Sequence, residues 1–328
     1  MRALLLLSTL LAADPVQEKG HVRFEGIAMG SSLEIEVFGP DQALCERAVQ
    51  AARDEIDRLD RMMTDWKQES PLMDVNRAAG IAPVKVPPEL FFIVERSLRM
   101  SELTGGTFDI TFAGAGKLWN WRAPEPHVPD PETVKASLKN VGWKNIVLDA
   151  KERTIFLRHP GVKIGLGGIV PGYAADLAMG KIRDLGIRDA VVNMSGDVMI
   201  SGRKDGAPWN VAITHPRKKG ENLAVLPVSN AAVSTSGDYE RFFMKDGKRY
   251  CHIIDPRTGY PADKCQSVTI IAPNTAFADA FAKGVFILGP EEGLALVEKV
   301  EGVEAIVVAA DGAVTMSKGL RKKGLPEK

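Results

Sequence analysis

Four strand-like runs follow one another in the middle of the chain with no helical segment between them. They lie at 190–194, 197–201, 209–214 and 223–228, and short runs of this kind are typical of β-strands. Apolar residues at helical spacing appear on both sides of them, so strands and helices are mixed without strict βαβ alternation. This order favours an α+β plan or an irregular α/β plan. We predict the α+β plan, with mixed sheets flanked by helices.

Apolar periodicity predicts the remaining elements. Residues 22–38 alternate apolar and polar positions around a Met-Gly-Ser turn, which predicts a hairpin. Residues 233–256 predict a second hairpin that turns at Asp246-Gly247. The other predictions are helices at 41–64, 87–106, 172–186, 276–287 and 291–300, strands at 145–149, 153–158, 267–272 and 304–309, a loop over 119–134, a strand after Gly105-Gly106, and a bulged hairpin over 193–202.

The chain is long enough for a large core, and its charge is balanced. It has 328 residues, 45% of them hydrophobic, which suffices for one large domain or two smaller ones. We predict a single domain over 20–315 whose two lobes divide softly near the Pro-rich stretch 123–131. Basic and acidic residues number 42 each, and this zero net charge argues against a nucleic-acid partner. The basic stretch 316–328 is predicted to be a solvated tail.

The first residues have the pattern of a secretory signal. Arg2 precedes an apolar run from Ala3 to Ala13 that is too short to span a bilayer, and a polar segment follows. We predict a signal peptide over 1–13, cleaved before Asp14, and therefore an exported protein, periplasmic or membrane-associated. An apolar first strand is the alternative. No cysteine follows the run, so a lipoprotein anchor is not expected.

The three cysteines, Cys45, Cys251 and Cys265, match no zinc-binding spacing. In an oxidising compartment Cys251 and Cys265 could pair. Equally, all three could be free and partly buried.

A glycine-rich stretch, IGLGGIVPGYAAD at 164–176, precedes a predicted helix. Backbone N–H groups in such turns can approach a phosphate closely, above all at a helix start. The stretch is neither G-x-x-x-x-G-K-[ST] nor a complete G-x-G-x-x-G, so it matches neither common nucleotide motif. Its residues alone leave open whether it binds a nucleotide.

Three further stretches carry groups that can do chemistry. The run STSGDYERF combines hydroxyls, glycine and Glu240, and its alternative is a hydroxyl-rich turn. His252, in YCHIIDPRTGYP, can act as acid, base or ligand, although a lone histidine is more often structural. Asp279 and Lys283 share a helix face, where the carboxylate can bind a hard cation or form a surface ion pair.

Taken in order, these stretches resemble the ApbE family, the FAD:protein FMN transferases. The resemblance runs from about residue 22 to about residue 310, and HIIDPRTG after TSGDYERF is its most specific part. It implies a T-fold-like α+β fold with FAD in a cleft between lobes. The matching stretches are MGSSLEIEV, IDRLDRMMTDW, SPLMDVN, ELTGGTFDIT, GLGGIVPGYAAD, AVVNMSGDV, VSTSGDYERFF, CHIIDPRTGYP, SVTIIAP and ADAFAKGVFILG.

The resemblance also implies which residues bind FAD. Met29, Gly30 and Ser31 match the turn beside the flavin, and Trp66 matches an aromatic residue that stacks on the isoalloxazine ring. Residues implied to hold the adenosine part are Glu240, His252, Ile253 and Ile254. Further residues predicted to bind FAD are Asp109, Tyr173, Asp176, Ser236 and Gly237.

The implied reaction splits the pyrophosphate of FAD. A threonine hydroxyl of an acceptor flavoprotein, by resemblance a subunit of a membrane redox pump, attacks the FMN-side phosphorus, and AMP leaves. Mg²⁺ on the Gly168 carbonyl and the Asp279 carboxylate would neutralise the phosphates. His252 or Asp279 would take the proton of the hydroxyl, which is a weak nucleophile without a base.

Three positions depart from the family pattern. The family usually reads Asp-Leu-Gly-Gly-Ile-Ala-Lys-Gly-Tyr-Ala, and Gly165 and Pro171 replace its Asp and its Lys. Lys283 stands where the family has a threonine ligand of the metal, and an ammonium has no lone pair to give. We expect Lys283 to extend toward Asp279 and to place its charge where Mg²⁺ would bind. Alternatively, Lys283 points to solvent and water completes the metal shell.

Two other functions would use the same site. A metal site replaced by Lys283 would suit a periplasmic protein that binds FAD without turnover. Water in place of the threonine would give an FAD pyrophosphatase. AMP release and its dependence on metal and acceptor separate these functions from FMN transfer.

Overall fold

The fold is taken from a computed structural model, which describes residues 20–67, 69–121 and 123–322. The predicted signal peptide over 1–13 and the end of the predicted basic tail lie outside these residues. Within them, no helix is both long enough and apolar enough to cross a membrane.

The described residues form short strands, several of them joined by tight turns. Their bounds are β1 (Gly20–Ala28), β2 (Ser31–Gly39), β3 (Val84–Lys85), β4 (Ile146–Asp149), β5 (Thr154–Leu157), β6 (Asp189–Met194), β7 (Asp197–Ser201), β8 (Trp209–Thr214), β9 (Asn222–Val228), β10 (Ala232–Gly237), β11 (Phe242–Lys245), β12 (Lys248–Cys251), β13 (Cys265–Ala272), β14 (Glu304–Ala309) and β15 (Val314–Met316).

The strands form one large sheet and three small ones in the described part of the chain. The large sheet has the order β1-β2-β6-β7-β10-β13-β14-β15, and its neighbouring strands are all antiparallel. The small sheets are β3-β5-β4, β8-β9 and β11-β12. Antiparallel pairing mixed with helices confirms the α+β prediction.

Helices lie on both faces of the large sheet, most of them on the face of the large core and the last one, through Leu320, on the opposite face. They are α1 (Gln42–Met63), α2 (Pro71–Arg77), α3 (Pro88–Leu103), α4 (Ala113–Gly116), α5 (Pro131–Ser137), α6 (Val170–Asp184), α7 (Thr275–Leu288), α8 (Pro290–Val297) and α9 (Lys318–Lys322). Single 3₁₀ turns lie at Ile110–Phe112, Leu138–Asn140 and Trp143–Asn145.

The core follows the alternation of the strands. Along β14, Ala305 and Val307 join the large core beneath the helices, whereas Ile306 joins a second core with Trp209 and Leu226 of the β8–β9 hairpin. Successive side chains point to opposite faces of a strand, so each strand supplies both cores. Full burial of such an aliphatic side chain contributes about 1.5–3 kcal/mol.

A glycine sets the distance between α6 and α7 at their N-terminal ends. A Cβ on Gly172 would lie 2.5 Å from the carbonyl oxygen of Thr275, so the helix backbones meet there only because Gly172 has no side chain. The start of α7 is capped by Asn274, whose side chain accepts from the Phe277 N–H at 2.9 Å. The close approach of Gly172 to Thr275 places the glycine-rich stretch next to the first turn of α7.

Both predicted hairpin turns are confirmed. The β1–β2 hairpin turns at Met29 (φ 51°) and Gly30 (φ 70°), and the β11–β12 hairpin turns at Asp246 and Gly247, also with positive φ. The second hairpin is shorter than predicted, because β10 at its start belongs to the large sheet.

Three local predictions are wrong. The segment after Gly105-Gly106 forms a 3₁₀ turn and α4 rather than a strand, because Asp109 caps that turn through the Thr111 N–H. The predicted loop over 119–134 ends in α5, which begins at Pro131. The hairpin over 193–202 pairs β6 with β7 without a bulge.

All three cysteines are buried and free, so the predicted alternative of a pair between Cys251 and Cys265 is not formed. Burial raises the pKa of Cys251 to about 11 and that of Cys265 to about 12. Such thiols stay protonated and unreactive at neutral pH.

Candidate active site

Two tight turns meet at one end of the large sheet. The hydroxyls of Ser32 and Ser195 are 3.0 Å apart, which joins the start of β2 to the β6–β7 turn. The N–H of Thr235 donates to the carbonyl oxygen of Gly196 at 3.3 Å and joins that turn to β10. The Met29-Gly30 turn therefore lies at the same end of the sheet as the first residues of β7.

A buried carboxylate and a half-buried one lie where this sheet end meets α7. Asp279 of α7 has no exposed surface, and Asp197 is the first residue of β7. Ser234, its partner across the β7–β10 pair, donates a hydrogen bond to Asp197 Oδ1. Burial and the nearby negative charge of Asp279 raise the pKa of Asp197 far above its usual value.

Lys283 forms an ion pair with the buried Asp279 carboxylate. The two residues are one helical turn apart on α7, and the Lys283 ammonium contacts Asp279 Oδ1, while a quarter of the lysine side chain (25%) remains exposed. Burial alone would lower the pKa of Lys283, but Asp279 and Asp197 together raise it above its usual value. The side chain is therefore a cation at neutral pH.

The glycine-rich turn before α6 connects this ion pair to the end of α1. A Cβ on Gly168 would lie 3.2 Å from Cδ of Lys283, so the lysine stem passes directly over this glycine. A Cβ on Gly165 would lie 3.1 Å from Oδ2 of Asp65, which follows α1. The turn is anchored by Asn76, whose amide group exchanges two hydrogen bonds with the backbone of Ile164.

Backbone donors are available on this turn. Within the part of the chain that the structure describes, the N–H groups of Gly167 and Gly168 make no hydrogen bond. The Gly172 N–H points to Asp279 Oδ2 at 3.4 Å, and α6 begins at Val170. Free N–H groups at a helix start attract an anion, so the turn has the structure of a phosphate site although it matches no common motif.

Trp66 lies beyond the other end of the turn, next to Asp65. Its side chain is 82% exposed, so one ring face is open to a planar ligand. Burial raises the pKa of Asp65, against the opposing charge of Lys117. An aromatic surface, a half-buried carboxylate, a glycine turn and an ammonium therefore follow one another in a row.

His252 adds an unpaired imidazole nitrogen. Its backbone N–H donates to the Arg241 carbonyl at 2.9 Å, and its Nδ1 is buried without a hydrogen-bond partner among the described residues. Burial, with the positive charges of Lys283 and Arg241, lowers the pKa of His252 to about 4. The imidazole is therefore neutral at pH 7, and it lies close enough to Lys283 for their charges to interact.

The residues predicted for the adenosine part differ in exposure. Glu240 is exposed, whereas Ile253 and Ile254 are buried, Ile254 together with Trp119. Ser236 and Gly237 end β10 and are buried, and a Cβ on Gly237 would lie 2.4 Å from the Tyr239 ring. Among these residues, the Glu240 side chain is directly accessible to a ligand.

Two of the residues predicted to bind FAD accept hydrogen bonds from the protein's own backbone. Asp176 accepts hydrogen bonds from the N–H groups of Thr275 (2.8 Å) and Ala276 (2.9 Å), and so caps α7. Asp109 accepts from the N–H groups of Thr111 and Trp143. Both carboxylates therefore stabilise the elements that carry the site.

Tyr173 also packs within the protein. Its ring lies 6.0 Å from that of Phe92 on α3, and burial raises its pKa to about 12. Its hydroxyl group stays protonated at neutral pH, and the charge of Glu89 adds to the effect of burial.

Sequence reasoning missed Asp197 and Asp65. Asp197 lies in the Gly-Asp turn of NMSGDV, which was interpreted as a plain hairpin turn. A second polar signal was available, because the β10 sequence VSTSG is unusually rich in hydroxyls for a buried strand. Asp65 has no local signal, since its contact with Gly165 joins residues far apart in sequence.

A cavity of about 700 Å³ lies elsewhere on the molecule. It is lined by the end of α6 and the end of β7, with Arg183, Arg188 and Arg203 around it. It contains none of the predicted site residues, so its size does not make it the candidate active site.

Comparison with known proteins relates this geometry to a family. The chain matches the ApbE family over residues 29–307. It is 31% identical over 305 residues to an FAD:protein FMN transferase of Klebsiella pneumoniae (92% of this chain, 94% of the relative), and 33% identical over 314 residues to one of Treponema pallidum (90% and 86%). The crystal structure of the ApbE protein from Thermotoga maritima superposes with a TM-score of 0.84 at 31% identity (92% and 98%). The matched region includes every part of the row from the Met29 turn to Lys283, and we conclude that the chain belongs to the ApbE family.

Proposed function

We propose that this protein transfers the FMN part of FAD to a hydroxyl group of an acceptor flavoprotein and releases AMP. The family match carries the proposal, because it spans residues 29–307 and relatives covered over most of their length are named FAD:protein FMN transferase. The exposed Trp66 ring, the glycine-rich turn and the Lys283 ammonium also support it.

The row of site residues suggests how FAD lies. The isoalloxazine ring stacks on the exposed face of Trp66. The pyrophosphate lies on the free N–H groups of Gly167 and Gly168 and reaches the Lys283 ammonium. The adenosine part extends toward His252 and Glu240, as the resemblance implies.

The transfer exchanges one phosphorus–oxygen bond for another. The acceptor oxygen, in our proposal that of a threonine, forms a bond to the FMN-side phosphorus. The bond from that phosphorus to the bridging oxygen breaks, and its electron pair leaves with AMP. The hydroxyl proton goes to Nδ1 of His252, whose imidazole is neutral at pH 7 and whose Nδ1 has no partner among the described residues. Asp279, the other predicted base, is already paired with Lys283.

The Mg²⁺ that the resemblance implies does not fit the residues present. Its predicted donors are the Gly168 carbonyl and the Asp279 carboxylate, and Oδ1 of Asp279 is in contact with the Lys283 ammonium. Among the described residues, no three His, Cys, Asp or Glu side chains are grouped to hold a metal ion. We therefore assign no step of the reaction to Mg²⁺.

The proposal extends to the identity of the acceptor and to the location of the protein. The apolar run before Ala13 supports export, and the resemblance supports a redox subunit at the membrane as the acceptor. Both stand as proposals.

The function is tested with the full chain, FAD and an acceptor protein that carries a threonine flavinylation motif. We expect AMP and a fluorescent acceptor band in equal amounts, and neither product with an acceptor whose threonine is replaced by alanine. AMP without acceptor would instead identify a pyrophosphatase. Bound FAD without AMP under any condition would identify a flavin-binding protein.

The role of His252 is tested by His252→Ala. Loss of a general base typically costs 10²- to 10⁴-fold in rate, so we expect AMP formation to fall at least about 100-fold. The rates are compared at saturating FAD, because the adenosine part of FAD is also proposed to lie near His252. An unchanged rate of transfer would exclude His252 as the base.

A further inference from the structure

We propose that the Lys283 ammonium is the resident cation of this site, so that FAD is bound through Lys283 without a divalent metal ion. The inference rests on the proposed function in one respect, that FAD is the ligand. It goes beyond that function by assigning this chain a cation that its own sequence supplies.

The buried carboxylate of Asp279 already has a partner, Lys283. This carboxylate has no exposed surface, and a buried charge is costly unless an opposite charge compensates it. Lys283, one helical turn later, makes that contact at Oδ1, and the Gly172 N–H approaches Oδ2. Both oxygens of Asp279 are therefore engaged by the protein before any ligand binds.

The path of the lysine side chain supports the same assignment. Its Cδ and Cε atoms would lie 3.2 and 3.5 Å from a Cβ on Gly168, so the glycine leaves the space that the stem occupies. A quarter of the side chain is exposed, and its stem passes Gly168, whose N–H, like that of Gly167, makes no hydrogen bond within the described residues. An anion that accepts hydrogen bonds from this turn also meets the ammonium.

The charges around Lys283 also favour the ammonium over a divalent ion. Burial and the charge of Asp279 raise the pKa of Asp197 to about 8, so Asp279 carries the negative charge here at neutral pH, and Lys283 is in contact with it. A divalent ion on Asp279 would lie next to the ammonium, or would force Lys283 out of its contact. Repulsion between cations at such a distance costs more in a buried site than in water, which favours Lys283 alone.

In the proposed reaction Lys283 stays protonated throughout. It donates charge-assisted hydrogen bonds to non-bridging pyrophosphate oxygens, and stabilises the negative charge that develops on the leaving AMP. A single positive charge neutralises less of the pyrophosphate charge than a divalent ion does. We therefore expect transfer that is slow and independent of Mg²⁺.

The metal is tested directly with Mn²⁺, a paramagnetic substitute for Mg²⁺ whose binding is followed by EPR. Wild-type protein and Lys299→Thr, which removes an exposed lysine, should leave added Mn²⁺ free. Lys283→Thr should bind about one Mn²⁺ per chain, because it releases Asp279 and adds a hydroxyl oxygen. A stoichiometric Mn²⁺ site in the wild-type protein that Asp279→Asn abolishes would overturn the proposal.

FAD affinity gives a second, independent readout. For the wild-type protein, quenching of flavin fluorescence should give dissociation constants within about twofold in EDTA and in Mg²⁺. Lys283→Thr should bind FAD at least about tenfold more weakly in EDTA and recover in Mg²⁺.

The outcomes separate this inference from the proposed function. Wild-type protein that binds FAD only with Mg²⁺ would contradict the role of Lys283 and leave FMN transfer standing. Wild-type protein that binds no FAD in either buffer would contradict the proposed function itself. Circular dichroism of each variant shows whether it folds. The wild-type measurements test the role of Lys283 without any variant.

Discussion

At the scale of single residues, the glycine-rich turn lies next to a carboxylate that comes from a distant part of the sequence. Gly165 stands where the family usually has an aspartate, and the carboxylate of Asp65 lies 3.1 Å from where a Cβ on Gly165 would be. The chain therefore keeps a carboxylate at this place but supplies it from the end of α1. Sequence comparison along one segment detects the loss at 165 and cannot detect the replacement.

A substitution at this turn tests the replacement. Gly165→Asp should destabilise the protein by about 1–3 kcal/mol, because the new side chain meets Ala113 and a second carboxylate. Urea unfolding measures the change, and adding Asp65→Ala should recover part of it. The matched control Gly167→Ala has open space around its Cβ and should be close to neutral. Equal stability of Gly165→Asp and wild type would contradict this explanation.

Trp66 gives the second prediction at this scale. Trp66→Ala should weaken FAD binding about tenfold, a loss of about 1.4 kcal/mol that is typical of a stacking contact. Its melting temperature should stay near that of the wild type, because the side chain is 82% exposed. Ile81→Ala, at another exposed apolar residue, serves as the control and should leave FAD affinity unchanged. Unaltered affinity in Trp66→Ala would place the flavin elsewhere.

At the scale of elements, α7 carries the charged residues and α6 fixes its position. The sequence predicts both helices through their periodicity, and the structure confirms them. The sequence could not predict that Asp176 of α6 caps α7, since an N-cap from another helix leaves no local pattern.

Removing this cap tests the assignment. Asp176→Ala should cost about 1 kcal/mol in the free energy of unfolding, because the Thr275 and Ala276 N–H groups lose their acceptor. FAD affinity should fall together with stability, since Asp279 and Lys283 are carried by α7. Asp184→Ala at the exposed end of α6 is the control. Full stability without the Asp176 carboxylate would refute its capping role.

Helices α1 and α3 are joined by an ion cluster that predicts a pH dependence. Arg58 contacts both Glu55 and Glu89, and hydrogen bonds from Arg58 lower the pKa of the buried Glu55 below its usual 4.5. A lowered pKa in the folded state contributes stability above pH 4.5, and this contribution is lost as the pH falls through the folded-state value.

The pH dependence of unfolding should therefore change in Glu55→Gln. Between about pH 5 and pH 3 the wild-type protein should lose stability more steeply than this variant, as urea midpoints would show. Glu95→Gln, which removes an exposed ion pair with Arg99, should keep the wild-type slope. Parallel curves for wild type and Glu55→Gln would contradict the role given to this cluster.

At the scale of the whole molecule, the order of the large sheet assembles the site. It brings β2, β6, β7 and β10 side by side, so that Ser32 meets Ser195 and Asp197 meets Ser234 although long stretches of chain separate each pair. Strand positions were predictable from local alternation, whereas strand order depends on long-range pairing that local patterns do not encode. Lys283 was predicted to reach Asp279 because helical spacing alone determines that contact.

The central claim is that FAD lies from Trp66 to Lys283 with the ammonium in place of a metal. It is tested most directly by a crystal structure of the full protein grown with FAD and Mn²⁺, using anomalous scattering to locate manganese. We predict a pyrophosphate oxygen within hydrogen-bond distance of Lys283 Nζ, stacking of the flavin on Trp66, and no manganese at Asp279. Manganese bound by Asp279 and the Gly168 carbonyl, with Lys283 turned away, would contradict the account.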